Sequence, residues 1–144
     1  MSDTENFLEP VHADEDEEGA QRWSRWLVVF LRVMAAVSLI KGLYHWAVIC
    51  GIDGGGDVPF DARPTAYQAA TMFFAVIDLV AAVGLWLAAP WGAVVWLTSV
   101  VSMMTVELLF LQVYGGSILI VMLEVLLLGA YLALALMAAR EQPA

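Results

Sequence analysis

The sequence predicts an all-α, polytopic membrane protein: an antiparallel bundle of four transmembrane helices. Three observations carry this. The 144-residue chain is 62% hydrophobic, well above the roughly 45–50% apolar content of soluble domains, and its mean hydropathy is +0.80. One core in so short a chain cannot hide that much apolar surface from water. The apolar residues gather into four runs, near 26–50, 66–89, 91–113 and 117–139. At about 23 to 25 residues, each run crosses about 30 Å of hydrocarbon with some tilt. Finally, the charges within the runs are few and sorted by sign. The first run holds Arg32, Lys41 and His45, and the other three hold one acid each: Asp78, Glu107 and Glu124.

The segment 1–21 is polar and acidic, ending in the run Asp14-Glu15-Asp16-Glu17-Glu18. It has too little apolar area to offset its ordering entropy, so it reads as a disordered tail, either simply solvated or docking a basic partner. Its acidic start does not fit the basic opening of a signal peptide. Eight of the fifteen acids lie in this tail, leaving seven acids against six bases in the rest of the chain. That near-neutral balance offers no basic face for nucleic acid. Cys50 is the single cysteine, so no intrachain disulfide is possible and a packing role at a helix end is expected.

The membrane domain is expected over 22–140, with 141–144 as a short tail. Arg22 and Arg25 precede the first span, and Trp23 and Trp26 suit the headgroup level. The connection 51–64 (GIDGGGDVPFDARP) is rich in turn residues. Asp53, Asp57 and Asp61 recur there at every fourth position. This is not the alternating ligand pattern of a calcium loop, so no metal is expected. Thr65 and Gln68 have capping-box spacing, starting the second helix near Ala66. Pro90 and Gly92 break the second run from the third, and Gly115-Gly116 makes the next turn. Arg140 caps the last helix. Connections this short make neighbouring helices antiparallel. Arg22, Arg25 and Arg140 fall on one side of the four spans and Arg63 on the other. The positive-inside rule then places both termini in the cytoplasm, in a bacterial inner membrane.

The intramembrane charges form the candidate site. An ionisable group at bilayer depth costs about 2.5–3.5 kcal/mol on insertion scales and is normally turned inward and partnered. With a helical rise of about 1.5 Å per residue, Lys41, Glu107 and Glu124 lie at one level, roughly 6 Å outward of the midplane. Asp78 lies near the centre and His45 one turn beyond Lys41. Ser38, Lys41, Gly42 and His45 share a stripe, as do Thr71, Ala75, Asp78 and Ala82. So do Ser99, Met103 and Glu107, and, on the last span, Ser117, Val121, Glu124, Leu128 and Tyr131. Thr98, Ser102 and Thr105 adjoin, with hydroxyls available for bonds between helices. Two principal readings compete: an ion pair that locks the bundle with one carboxylate protonated, and a protonatable site in a polar cavity; lipid-headgroup binding is a third. His45 is either a pH-responsive group or a hydrogen-bonded interface residue. Arg32 points away from Lys41, and either snorkels to the headgroups beside Arg22 and Arg25 or pairs with Asp78. His12 is the one other histidine and lies in the tail, so no zinc set exists. The methionines and aromatics read as packing and interface residues, and no cofactor is expected.

Three stretches, LRVMAAVSLIKGLYHWAVICGI (Leu31–Ile52), TAYQAATMFFAVIDLVAAVGLWL (Thr65–Leu87) and APWGAVVWL (Ala89–Leu97), carry a resemblance. With the last span, they resemble a family of uncharacterised four-helix inner-membrane proteins of proteobacteria, known only as a domain of unknown function. The resemblance covers the membrane part and implies its fold, with no activity attached. A looser similarity is to DoxX-like membrane proteins, through an arginine early in the first span and a Lys–Gly pair near its end. The chain is therefore expected to be a non-enzymatic accessory or structural subunit in the lipid bilayer, contacting a larger membrane protein or a second copy. The alternative is a small proton-coupled transporter using the buried carboxylates. No nucleophile–base pair, metal set or phosphate loop points to an enzyme.

Overall fold

The computed structural model describes residues 10–52, 58–109 and 118–140, with side chains from Arg22 onward. Four α-helices follow one another: α1 (Pro10–Ile49), α2 (Thr65–Trp86), α3 (Pro90–Leu109) and α4 (Ile118–Arg140). One 3-10 turn, Phe60–Ala62, precedes α2. The described residues contain no strand. Four helical segments are long and apolar enough to cross a membrane: Arg22–Ile49, Thr65–Trp86, Pro90–Leu109 and Ile118–Arg140. Helix α1 starts upstream of the expected Trp26, at Pro10, within the stretch read as a tail. Gly115-Gly116, Ser117, Asp53 and Asp57 lie outside the described residues.

Contacts between helices fix their directions. Along α1, Arg32 lies over the Trp86 ring, Gly42 abuts Leu79, and the Trp46 indole N–H donates to the Ala75 carbonyl at 3.1 Å. The α2 partner moves backward as α1 advances, so the two run antiparallel. The pairs Gly84–Gly92 and Asp78–Ser99 give the same result for α2 and α3. Phe30–Tyr131 and Lys41–Glu124 give it for α1 and α4. Helix α2 is the most enclosed, with 44% of its apolar window buried, whereas α4 is 6% buried and meets the bundle along one narrow edge.

The second helix ends at Trp86, short of the expected Ala89. Ala88 takes a left-handed conformation (φ 50°). Its N–H donates to Leu85 O and the Ala89 N–H donates to Gly84 O, both at 3.0 Å. This is a Schellman closure, which satisfies the last carbonyls and turns the chain before Pro90. Pro90 then suits the first position of α3, where no N–H is required. The turn brings Gly84 against Gly92 so closely that a Cβ on either would overlap the other's backbone. The capping box at the start of α2 does not form. Pro64 is the N-cap without a side-chain bond, and the Gln68 amide donates to the carbonyls of Arg63 (2.8 Å) and Asp61 (3.0 Å). Gln68 therefore ties the preceding loop to the helix. Its amide N–H₂ has carbonyls within reach, and these outcompete the reciprocal bond of a capping box.

The interior sorts into two parts. Leu31, Met34, Ala35, Ala81, Leu85, Trp96 and Val100 form an apolar core. Phe30, Trp96 and Tyr131 close it with ring centroids 5.6–6.4 Å apart. Toward the other end polar side chains are buried as well, Ser38, His45, Thr71, Asp78, Ser99, Glu107 and Glu124, beside Val48, Phe74 and Ala75. Large apolar residues meanwhile cover the outside, among them Ile40, Val94, Leu119 and Leu126. Polar inside and apolar outside reverses the arrangement of a water-soluble domain.

Candidate functional site

The polar half borders a half-open cavity of about 420 Å³. Each helix contributes to its wall through one face. Helix α1 supplies Ser38, Lys41, Tyr44 and His45; α2 supplies Asp78; α3 supplies Ser99 and Glu107; and α4 supplies Glu124. The inward stripe of α1 holds because Gly42 lets α2 approach, with a Cβ there only 2.8 Å from the Leu79 side chain. On α2, Thr71, Ala75, Asp78 and Ala82 are all buried, and their small size sets the close α1–α2 approach that sinks Asp78 to 1% exposure.

Lys41 Nζ lies 3.6 Å from Glu124 Oε1, in the ion pair that the site contains among the described residues. Glu107 lines the same cavity without a bridge to Lys41. Asp78 accepts the Ser99 hydroxyl through Oδ1 at 2.5 Å. Each acid is left with a second oxygen, Asp78 Oδ2, Glu107 Oε2 and Glu124 Oε2, that is buried and has no hydrogen-bond partner. Three carboxylates thus face one lysine in largely apolar walls. Unpaired ionised groups are costly in such surroundings.

His45 is buried, with its ring 5.8 Å from Phe74 and 5.9 Å from Tyr44. It borders the cavity within an aromatic surround rather than joining the Lys41–Glu124 ion pair. Arg32 stays outside the cavity, exposed and 5.8 Å over the Trp86 ring. The pairing of Arg32 with Asp78 is not made, because Arg32 meets α2 at Trp86, about two turns along that helix from Asp78. Arg22 lies 5.9 Å over Trp23, and Arg25 is exposed. Thr98 and Thr105 do not lend hydroxyls to neighbouring helices. They donate to Val94 O (2.9 Å) and Val101 O (2.7 Å), one turn back on α3. An exposed threonine in apolar surroundings satisfies itself on its own helix.

Beyond the apolar lining, two aromatic cavity residues escaped the sequence reading, Tyr44 and Trp96. The signal was available: Tyr44 follows Lys41 by three positions, and Trp96 precedes Ser99 by three, each on the charged face. Both were absorbed into the general belt of aromatics. Among the described residues no group of three or more His, Cys, Asp or Glu could hold a metal ion.

Searches of curated proteins and of solved structures return no match to this chain. Residues 25–142, which contain all four candidate spans up to Arg140, match a family of unknown function, DUF6163, and the chain belongs to that family.

Proposed function

We propose that the chain is a small, non-enzymatic multi-pass protein of a proteobacterial inner membrane, with both termini cytoplasmic and with the charged cavity as its working part. The cavity is the protonatable site of a small carrier. One observation carries this: three buried carboxylate oxygens, one from each of α2, α3 and α4, lie unpartnered at the edge of a cavity. A purely locking cluster would spend its oxygens on partners, since an unpaired buried polar atom costs about 1–3 kcal/mol. Such a cost is tolerated where a proton or ligand comes and goes. The arginines at the span ends support the orientation.

A second reading is an accessory subunit, favoured by α4, whose apolar window is 6% buried. A larger membrane protein or a second copy would cover that face, with the lipid bilayer covering the rest.

The test is thermal unfolding of the detergent-purified protein across pH 5 to 8. In a carrier site Glu107→Gln removes an unpartnered buried acid, so the variant melts no lower than wild type, with stability unchanged or raised by about 1 kcal/mol. Its pH dependence becomes flatter. In a structural lock the same variant melts lower at every pH, and that result would overturn the carrier reading. Co-purification of a stoichiometric membrane partner, with the Glu107→Gln variant melting low, would establish the accessory reading in its place.

A further inference from the structure

We propose that the cavity binds one monovalent organic cation with an apolar body, its charged head drawn to the acids that line the space and displacing a proton held there. The proposal rests on the cavity reading above and specifies its ligand. Every charged or titratable group facing the space is accounted for: Lys41, Tyr44 and His45 from α1, Asp78 from α2, Glu107 from α3 and Glu124 from α4. Lys41 is engaged with Glu124. The remaining acids, Asp78 and Glu107, are 1% and 3% exposed, and each keeps one oxygen without a partner. One retained proton and one incoming positive charge balance them. An anion would instead add to the excess of acids.

The shape of the site selects against a bare inorganic ion. The volume of about 420 Å³ far exceeds one ion and falls within the range of small-molecule pockets. Met34, Val100, Met103 and Leu127 line it, and such walls offer nothing to a hydration shell but suit an alkyl or aryl body. Trp96 and Tyr44 add aromatic surface on which an ammonium is attracted by the ring quadrupole. The acids come from three helices, so the site exists only when the bundle is assembled.

The experiment uses the full chain in nanodiscs of phosphatidylglycerol, which carries no ammonium headgroup. Benzyltriethylammonium is titrated calorimetrically in two buffers of different ionisation enthalpy, with benzenesulfonate as the anion of similar size. The expected result is saturable one-to-one binding of the cation, release of a proton, and no binding of the sulfonate. Glu107→Gln, checked for helicity by circular dichroism, should weaken the cation at least tenfold, and Asp78→Asn should do the same. Competition by added phosphatidylethanolamine would assign the natural cation to a lipid headgroup, and lack of competition to a soluble amine. Binding of the sulfonate instead of the cation, cation binding unchanged in both variants, or no binding by folded wild type each overturns the proposal. In the last case a flattened pH dependence of Glu107→Gln melting would leave the carrier site standing without this ligand.

Discussion

At the Arg32 level, α1, α2 and α3 meet through Leu31, Met34, Ala81, Leu85 and Trp96, with Gly84 against Gly92 and aromatic rings closing onto α4. About two turns along α1, at the Lys41 level, the same helices meet around a cavity bordered by acids and hydroxyls. The first region is held by shape: backbones touch and no space remains for a Cβ. The second is held by a 3.6 Å ion pair and a serine–aspartate bond, with three oxygens left over. Lipid does not distinguish an apolar helix face from another helix, so association depends on close packing of small residues and on polar bonds. The molecule uses the first means at one end and the second at the other. A packed end thereby adjoins a less satisfied end, where the exchange proposed above would take place.

Substitutions can break this contrast, and the largest effect belongs to the packed half. Gly92→Ala places a methyl group against the Gly84 backbone, which cannot yield as a side chain would. Overpacking of this kind costs about 3 kcal/mol. Reversible unfolding in mixed micelles should report that loss, and a cost below about 1 kcal/mol would show that the two helices separate easily. Next comes Lys41→Met, which strands Glu124 and should cost about 2 kcal/mol, since half the pair is partly exposed. The double variant Lys41→Met/Glu124→Gln should recover most of that loss in the same measurement. Failure to recover would mean that Lys41 serves Glu107 or Asp78 as much as Glu124. The smallest effect is a gain: Ala88→Gly relieves a left-handed alanine at the α2–α3 turn and should stabilise by about 0.5–1 kcal/mol. Because Ala88 belongs to the packed half, that gain should leave the pH dependence of melting untouched.

Much of the site could be read along the chain because helical periodicity is a local property. Ser38, Lys41, Gly42 and His45 share a stripe at any packing angle, and the structure turns that stripe inward. Equal depth of Lys41 and Glu124 followed from rise per residue alone, and the two meet at 3.6 Å. Periodicity did not give the division of labour among the acids. Depth placed Glu107 beside Lys41 as firmly as Glu124, yet the pair forms with Glu124. The angle of each helix about its own axis decides such a choice, and neighbouring side chains set that angle. Asp78 paired with Ser99 for the same reason, and Arg32 went to Trp86. The threonines of α3 turned back to their own carbonyls, a local solution that spacing allowed but did not require.

By itself, then, the amino-acid order determined four apolar helices, their alternating direction and the inward set of charges, because length, hydropathy and the 3.6-residue repeat are written within each segment. Only the tertiary structure decided that the charges border a cavity rather than a closed cluster, and that one end of the bundle is packed through glycine contacts. Whether space is filled depends on how side chains from four different segments fit together, and no single segment carries that information.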